Sequence, residues 1–335
     1  MKKHRFMCVV LAILFVSLPA FSAGSKETQA QAASGTTLTV YTYDSFLGDW
    51  GAGPAIVPAF EQKTGIKVNL VSPGDAVEVL NKAISEKSSP RADIVLGISD
   101  DMAAQALASD LFEPYLSPAL ASIPDFVKFD PTHRLLPFHY GNFAFIVDTE
   151  KISLEQAPRS LEDLTKPEFR NKIILIDPRT SSVGLGLLVW SIEVYGEERY
   201  LEWWKAVSAN ALTIADGWSS AYGLFTEGEA PLVISYTTSP VYHVMNEDTT
   251  RYQALIFEEG HNATYEGVGI LKSSRNKEAA QQFIDYLLTD AQAQIAVINS
   301  MYPANESVEL PAAYQWAPKP GKTLELSPEA IEKNL

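Results

Sequence analysis

The chain has 335 residues, of which 46% are hydrophobic and 20% charged, and its formal net charge at pH 7 is -15. So acidic a surface repels a phosphate backbone, which excludes nucleic acid as a partner. The single cysteine, Cys8, lies in the first apolar run, so the rest of the chain has no thiolate for a disulfide, a metal ion or a nucleophile.

The N-terminal segment is typical of an export signal followed by a linker. Lys2, Lys3 and Arg5 precede an apolar run at residues 6–18, and small residues follow it. The run is too short to span a bilayer. We therefore expect a cleaved signal peptide at residues 1–22, a flexible linker at 23–35 and a mature protein in the periplasm.

Strand-like apolar runs alternate with helical patterns along the rest of the chain. The predicted strands are residues 38–41, 68–71, 94–98, 143–147, 173–176, 232–235 and 268–271. The predicted helices are residues 55–64, 76–86, 102–108, 185–195, 200–206 and 278–298. This alternation indicates an α/β fold with mainly parallel sheets.

The length exceeds what one hydrophobic core usually organises, so two lobes are expected. Lobe 1 is predicted to comprise residues 36–139 plus 266–335, and lobe 2, residues 140–265, is predicted to be inserted between them. Ligands of such sheets bind outside the carboxyl ends of the strands. A cleft between the lobes would collect the four loops that follow predicted strands: residues 42–54, 98–101, 177–186 and 236–242.

Two segments of the chain begin predicted helices with polar side chains. Ser181 and Ser182 follow a buried-looking strand, and a helix start offers free N–H groups that suit a phosphate or another oxygen, although ordinary N-capping is an alternative. Asp75 also precedes a helix, where it can act as an N-cap or accept a hydrogen bond from a ligand amino group.

Aromatic residues mixed with small polar ones occupy three loops, at residues 41–46, 217–222 and 236–242. Aromatic rings on loops can stack on a flat ring or face a cation, at about 0.5–2 kcal/mol per contact, although packing on a lobe surface is an alternative. In contrast, Trp190, Trp203 and Trp204 fall in helical patterns and are predicted to pack in the core.

The sequence shows no signature of a metal site, a phosphate-binding loop or a nucleophilic serine. None of the five histidines has metal-site spacing, and neither a Walker loop nor a Gly-x-Ser-x-Gly elbow occurs in the sequence. We therefore expect no metal, no cofactor and no catalysis.

Several strings together resemble the periplasmic thiamine-binding proteins of bacterial ABC transporters. They lie at residues 41–46, 49–51, 92–97, 177–181, 217–219, 221–225, 235–240 and 301–303, within a similarity that extends from about residue 38 to 326. The resemblance implies a type II periplasmic binding protein fold. Each of its two lobes would have a mainly parallel sheet flanked by helices, and the ligand would bind in the cleft between the lobes.

The resemblance also implies roles for individual residues. Asp75 matches the residue that meets the aminopyrimidine, and Ala76 stands where the family has glycine. The other positions implied to bind the ligand are Tyr43, Ser181, Ser182, Trp218, Tyr236, Thr237, Thr238, Ser239 and Tyr242. Of these, Ser181 and Ser182 match the phosphate or hydroxyethyl end. The chain departs from the family at Ser300, where a tryptophan is usual.

The implied function is the substrate-binding component of an ABC importer. It would act as a monomer, taking up thiamine, thiamine monophosphate or thiamine diphosphate and delivering the ligand to the permease and, through it, to the ATPase. One alternative is a binding protein for another cationic or phosphorylated solute. The other is a thiaminase-like enzyme, which the lack of a cysteine in the mature chain disfavours.

Overall fold

The computed structural model describes residues 35–324 and Ile331. The predicted signal peptide and all but the last residue of the predicted linker lie outside the described residues. None of the helices described is both long and apolar enough to cross a membrane.

The strands of the described part form one mixed sheet. They are β1 (Thr37–Tyr41), β2 (Lys67–Val71), β3 (Ile94–Ser99), β4 (Phe112–Glu113), β5 (Leu136–Asp148), β6 (Ile173–Ile176), β7 (Ala211–Ala215), β8 (Leu232–Tyr236), β9 (Tyr252–Ala254), β10 (His261–Leu271), β11 (Tyr302–Pro303) and β12 (Thr323–Leu324).

The helices lie between these strands. The α-helices are α1 (Asp44–Leu47), α2 (Ala52–Thr64), α3 (Ala76–Ser85), α4 (Ala103–Ala108), α5 (Ser182–Asn210), α6 (Trp218–Thr226), α7 (Pro240–Asn246), α8 (Lys277–Leu288) and α9 (Gln292–Asn299). Short 3₁₀ helices occupy Asp100–Met102, Pro118–Ser122, Asp125–Val127, Asp163–Thr165, Pro167–Phe169 and Ala312–Trp316.

The sheet has the order β2-β1-β3-β10-β5-β8-β6-β7. At one end β2, β1 and β3 are parallel, and at the other β8, β6 and β7 are parallel. Between them, β10 and β5 run antiparallel to their neighbours. Strands β3 and β6 are buried along their whole length, as expected for parallel strands covered on both faces.

Two large hydrophobic cores lie along this sheet. The first contains side chains of β1, β3, α2, α3 and α8, and the second contains side chains of β6, β8, α5 and α6. Strand β5 passes from one to the other: Leu136 and Phe138 belong to the first core, Phe143 and Phe145 to the second. The two cores give the chain two lobes, joined by β5 and β10. The exact lobe boundaries stay a prediction.

Some elements differ from the sequence predictions. The joining strands β5 and β10 are longer than expected because polar residues such as His139 and Glu266 interrupt their apolar pattern, yet both are buried where the cores meet. The helix predicted at 278–298 is two helices, α8 and α9. Residues 182–210 form one helical run that is kinked at Gly196, whose φ is 70°. Helices α6 and α7 occupy segments that were expected to be loops.

The tryptophans predicted to pack in the core do so. Trp190 and Trp203 are buried in the second core, and Trp204 packs against it. Each indole N–H is satisfied, by the carbonyl oxygens of Gly260 and Leu161 and by the hydroxyl of Ser191, respectively.

Candidate functional site

A cleft of about 320 Å³ lies where the two lobes meet. Its walls come from the segments that follow parallel strands. Tyr43 follows β1, Asp75 follows β2 and begins α3, Ser182 follows β6, Trp218 follows β7, and Tyr236 ends β8. The cleft therefore lies at the carboxyl ends of strands from both lobes, where α/β proteins bind small ligands.

Most of the predicted site residues line this cleft. They are Tyr43, Asp75, Ser182, Trp218, Tyr236, Ser239 and Tyr242. The remaining four, Ala76, Ser181, Thr237 and Thr238, are buried behind its wall. Ser181 is the N-cap of α5, and its Oγ accepts from the Val183 N–H at 3.2 Å. The Thr237 N–H donates to the carbonyl oxygen of Asn142.

Asp75 lies at the start of two helices. Its Oδ1 accepts from the Ala76 N–H at 2.6 Å, in a capping box completed by Glu78 at the start of α3. Its Oδ2 accepts from the N–H of Trp218 at 2.9 Å, at the start of α6 in the other lobe. The side chain is 7% exposed, and burial raises the pKa of Asp75 to about 6. This carboxylate thus joins the two lobes across the cleft.

Other contacts between the lobes lie near Asp75. The Ser219 hydroxyl donates to Asp44 Oδ1 at 3.2 Å, and the rings of Trp50 and Trp218 lie 6.1 Å apart. The lobes are therefore in contact along one edge of the cleft.

Trp218 is held by its face and by its edge. Its ring stacks on Tyr222 with a centroid distance of 4.9 Å and an interplanar angle of 21°. Its Nε1–H donates to Ser235 Oγ at 2.8 Å, and that hydroxyl lies 2.8 Å from Ser239 Oγ. These contacts leave the indole little rotational freedom, so it presents a preformed flat surface to the cleft.

Tyr222 is itself fixed by a buried histidine that the sequence did not suggest. The Tyr222 hydroxyl lies 2.9 Å from His243 Nε2, and His243 Nδ1 lies 2.7 Å from Glu247 Oε2. Burial lowers the pKa of His243 and raises that of Tyr222. A neutral imidazole that accepts from Tyr222 and donates to Glu247 satisfies all three groups.

Two tyrosines form further aromatic surfaces in the cleft. Tyr236 stacks on Phe143 at 5.3 Å and 25°. Tyr43 packs against Gly97, whose φ is +101°, and a Cβ on that residue would lie 2.3 Å from the Tyr43 ring. Glycine is required there by both the backbone angle and the closeness of the ring.

The floor of the cleft carries polar side chains that were not predicted. His139 and Glu266 face each other across β5 and β10, and Asn299 ends α9. The Asn299 amide nitrogen lies 3.4 Å from both the Tyr43 hydroxyl and His139 Nδ1. His139 and Glu266 were hard to predict from the sequence, because polar side chains on strands normally face solvent. In this protein the two lobes meet at β5 and β10, so the polar side chains of these strands border a cleft.

The charge of the cleft is one-sided. Three carboxylates line it, those of Asp75, Glu247 and Glu266, whereas none of the described lining residues is lysine or arginine. Ser300 also lines it. The aromatic surfaces and carboxylates together suit a flat, positively charged ligand.

Comparisons with known proteins agree with this architecture. The family described as bacterial extracellular solute-binding protein matches residues 89–323. A thiamine-binding periplasmic protein of Brucella suis is 40% identical over 328 residues, covering 97% of this chain and 95% of that one. A protein of the same name from Escherichia coli K12 is 39% identical over 296 residues, covering 88% of each chain.

Solved structures support the same assignment. A periplasmic thiamin binding protein superposes with a TM-score of 0.82 at 38% identity, covering 89% of this chain and 92% of that chain. The predicted α/β binding-protein fold is thereby confirmed. A ferric ion-binding protein A of Pasteurella haemolytica, at 22% identity and a TM-score of 0.72, shares the fold alone. The chain therefore belongs to the bacterial extracellular solute-binding proteins, in the family that includes the thiamine-binding periplasmic proteins.

Proposed function

We propose that this protein is the substrate-binding component of an ABC importer and that it captures thiamine in the periplasm. The observation that carries the proposal is the composition of the cleft, which combines aromatic faces with three carboxylates and, among its described residues, has no lysine or arginine. The names of the relatives point to the same ligand.

The chemistry of thiamine suits these residues. Its thiazolium ring is positive at every pH, so aromatic faces and buried carboxylates attract it more than a neutral ring. Its aminopyrimidine is flat and can stack on Trp218, Tyr43 or Tyr236. The Asp75 carboxylate borders the cleft, where it can accept from the ligand amino group.

The oxygenated tail of the ligand would lie at the start of α5. Ser182 lines the cleft there, and Ser181 caps the helix behind it. A helix start supplies N–H donors and a partial positive charge, which would let thiamine phosphates bind although no described lining residue is lysine or arginine.

Export and delivery complete the proposal. The first 22 residues would direct the chain to the periplasm and be removed. The mature monomer would then present its ligand to a membrane permease, and the associated ATPase would drive transport.

The decisive experiment uses the mature protein purified without refolding. Mass spectrometry of the solute released on denaturation should detect thiamine or a thiamine phosphate, and calorimetry of the emptied protein should show one site with a dissociation constant of about 1 μM or tighter. Release of a different solute, together with no heat on addition of thiamine, would refute the proposal.

A further inference from the structure

Glu266 occupies an unusual position in the cleft floor. It lies in the middle of β10, opposite His139 on β5, and its side chain borders the cleft. The residue is only 5% exposed, and His139 is 2% exposed. A carboxylate buried to this extent is costly unless a partner compensates its charge.

The described residues do not fully supply that partner. Glu266 Oε2 lies 2.8 Å from His139 Nε2, yet neither atom makes a hydrogen bond of acceptable geometry within the described part of the chain. The Tyr43 hydroxyl hydrogen-bonds to Glu266 and Tyr236 lies close to it, but neither group is a cation. Burial first, and then this carboxylate, raise the pKa of Tyr43, so its hydroxyl is a neutral donor.

The other two carboxylates of the cleft are already engaged. Both oxygens of Asp75 accept from backbone N–H groups at helix starts. Glu247 is bound to His243 and its side chain is 43% exposed, so water screens its charge. Glu266 is therefore the buried carboxylate with the most capacity for a charged ligand.

We propose that Glu266 is the counter-ion that selects a cationic ring over a neutral ring of the same shape. This inference rests on the proposed function and deepens it by assigning the charge recognition to one residue. His139 lies beside the carboxylate on the neighbouring strand. The low dielectric of the cleft floor strengthens the attraction of Glu266 for a cation.

The test compares thiamine with its neutral analogue, in which carbon replaces the thiazolium nitrogen. Wild-type protein should bind thiamine at least tenfold more tightly than the analogue. In Glu266→Gln, binding of thiamine should weaken at least tenfold, whereas binding of the analogue should change less than threefold. Asp75→Asn should weaken both ligands by similar factors, because they share the aminopyrimidine.

Two controls complete the design. Glu168→Gln removes the same charge from an exposed residue that does not line the cleft, and should leave both affinities within twofold. Glu266→Asp retains the charge and should retain most of the preference for thiamine. Circular dichroism checks that each variant is folded.

The possible failures are distinguishable. If the wild type does not bind thiamine, the proposed function fails. If it binds thiamine and the neutral analogue within threefold of each other, the function stands and the role of Glu266 is refuted without any variant. Equal losses for both ligands in Glu266→Gln would likewise show a structural role only.

Discussion

Replacing Trp218 by alanine tests whether a preformed aromatic surface contributes to ligand affinity. The substitution removes an indole that borders the cleft, stacks on Tyr222 and donates to Ser235. A cation that faces an aromatic ring contributes about 0.5–2 kcal/mol, and stacking of one aromatic ring on another contributes about 0.5–1.5 kcal/mol. Loss of both should cost about 1–3.5 kcal/mol of binding free energy, which is about 5- to 400-fold in the dissociation constant for thiamine.

A phenylalanine at the same position separates ring surface from indole hydrogen bonding. Trp218→Phe keeps a flat ring but loses the donor to Ser235, so the loss should be about 1 kcal/mol or less. Trp316 provides a matched control, because it is 39% exposed and does not line the cleft. Trp316→Ala should leave the affinity unchanged.

Isothermal calorimetry at neutral pH measures all three variants, with circular dichroism to confirm folding. Binding of thiamine by Trp218→Ala within twofold of the wild type would refute a contribution of the indole to affinity. An equal loss of affinity in Trp218→Phe and Trp218→Ala would show that the ring surface contributes nothing to binding, and would refute the prediction as well.

Three more predictions address other parts of the cleft. Because burial raises the pKa of Asp75 to about 6, this residue is mostly protonated at pH 5, and a ligand amino group favours its ionised form. Thiamine affinity should therefore rise about tenfold from pH 5 to 7.5 in calorimetry, and Asp75→Asn should flatten that rise; an unchanged profile in the variant would assign the titration to another group. Ser182→Ala should weaken thiamine monophosphate more than thiamine in the same assay, and equal losses would remove the start of α5 as the phosphate site. Gly97→Ala should lower the free energy of unfolding by about 2–4 kcal/mol in urea, since a positive φ and a clash with Tyr43 add together. Gly65→Ala has the positive φ but no close neighbour, so it should cost only about 1 kcal/mol; equal losses at both glycines would contradict the clash.

The local sequence pattern was sufficient to predict many of the helices and strands. The run at 173–176 was predicted with the bounds that β6 has, because four consecutive apolar residues are readable without knowing their neighbours. Asp75 was predicted to cap a helix, and it does, with Glu78 completing the box. Such features depend on contacts within a few residues, which the sequence contains in full.

Helix starts in small polar segments were harder to predict. Trp218 and Pro240 begin α6 and α7 in stretches rich in serine, threonine and glycine, which have weak intrinsic helix propensity. Helix α6 forms because Ala221 and Phe225 pack in the second core, and α7 forms because Val241 packs in a small separate cluster with Tyr314 and Ala317. That packing is tertiary and leaves little trace in a short window.

The sequence by itself determined the class of fold, the loops that bear aromatic residues and the acidic character of the chain. Its resemblance to a known family also indicated the ligand class. Only the tertiary structure placed His139, Glu266 and Asn299 on the cleft floor and joined Asp75 to the N–H of Trp218, 143 residues along the chain. The physical reason is that a cleft between lobes is formed by groups distant in sequence, whose burial and charge depend on how the two cores meet.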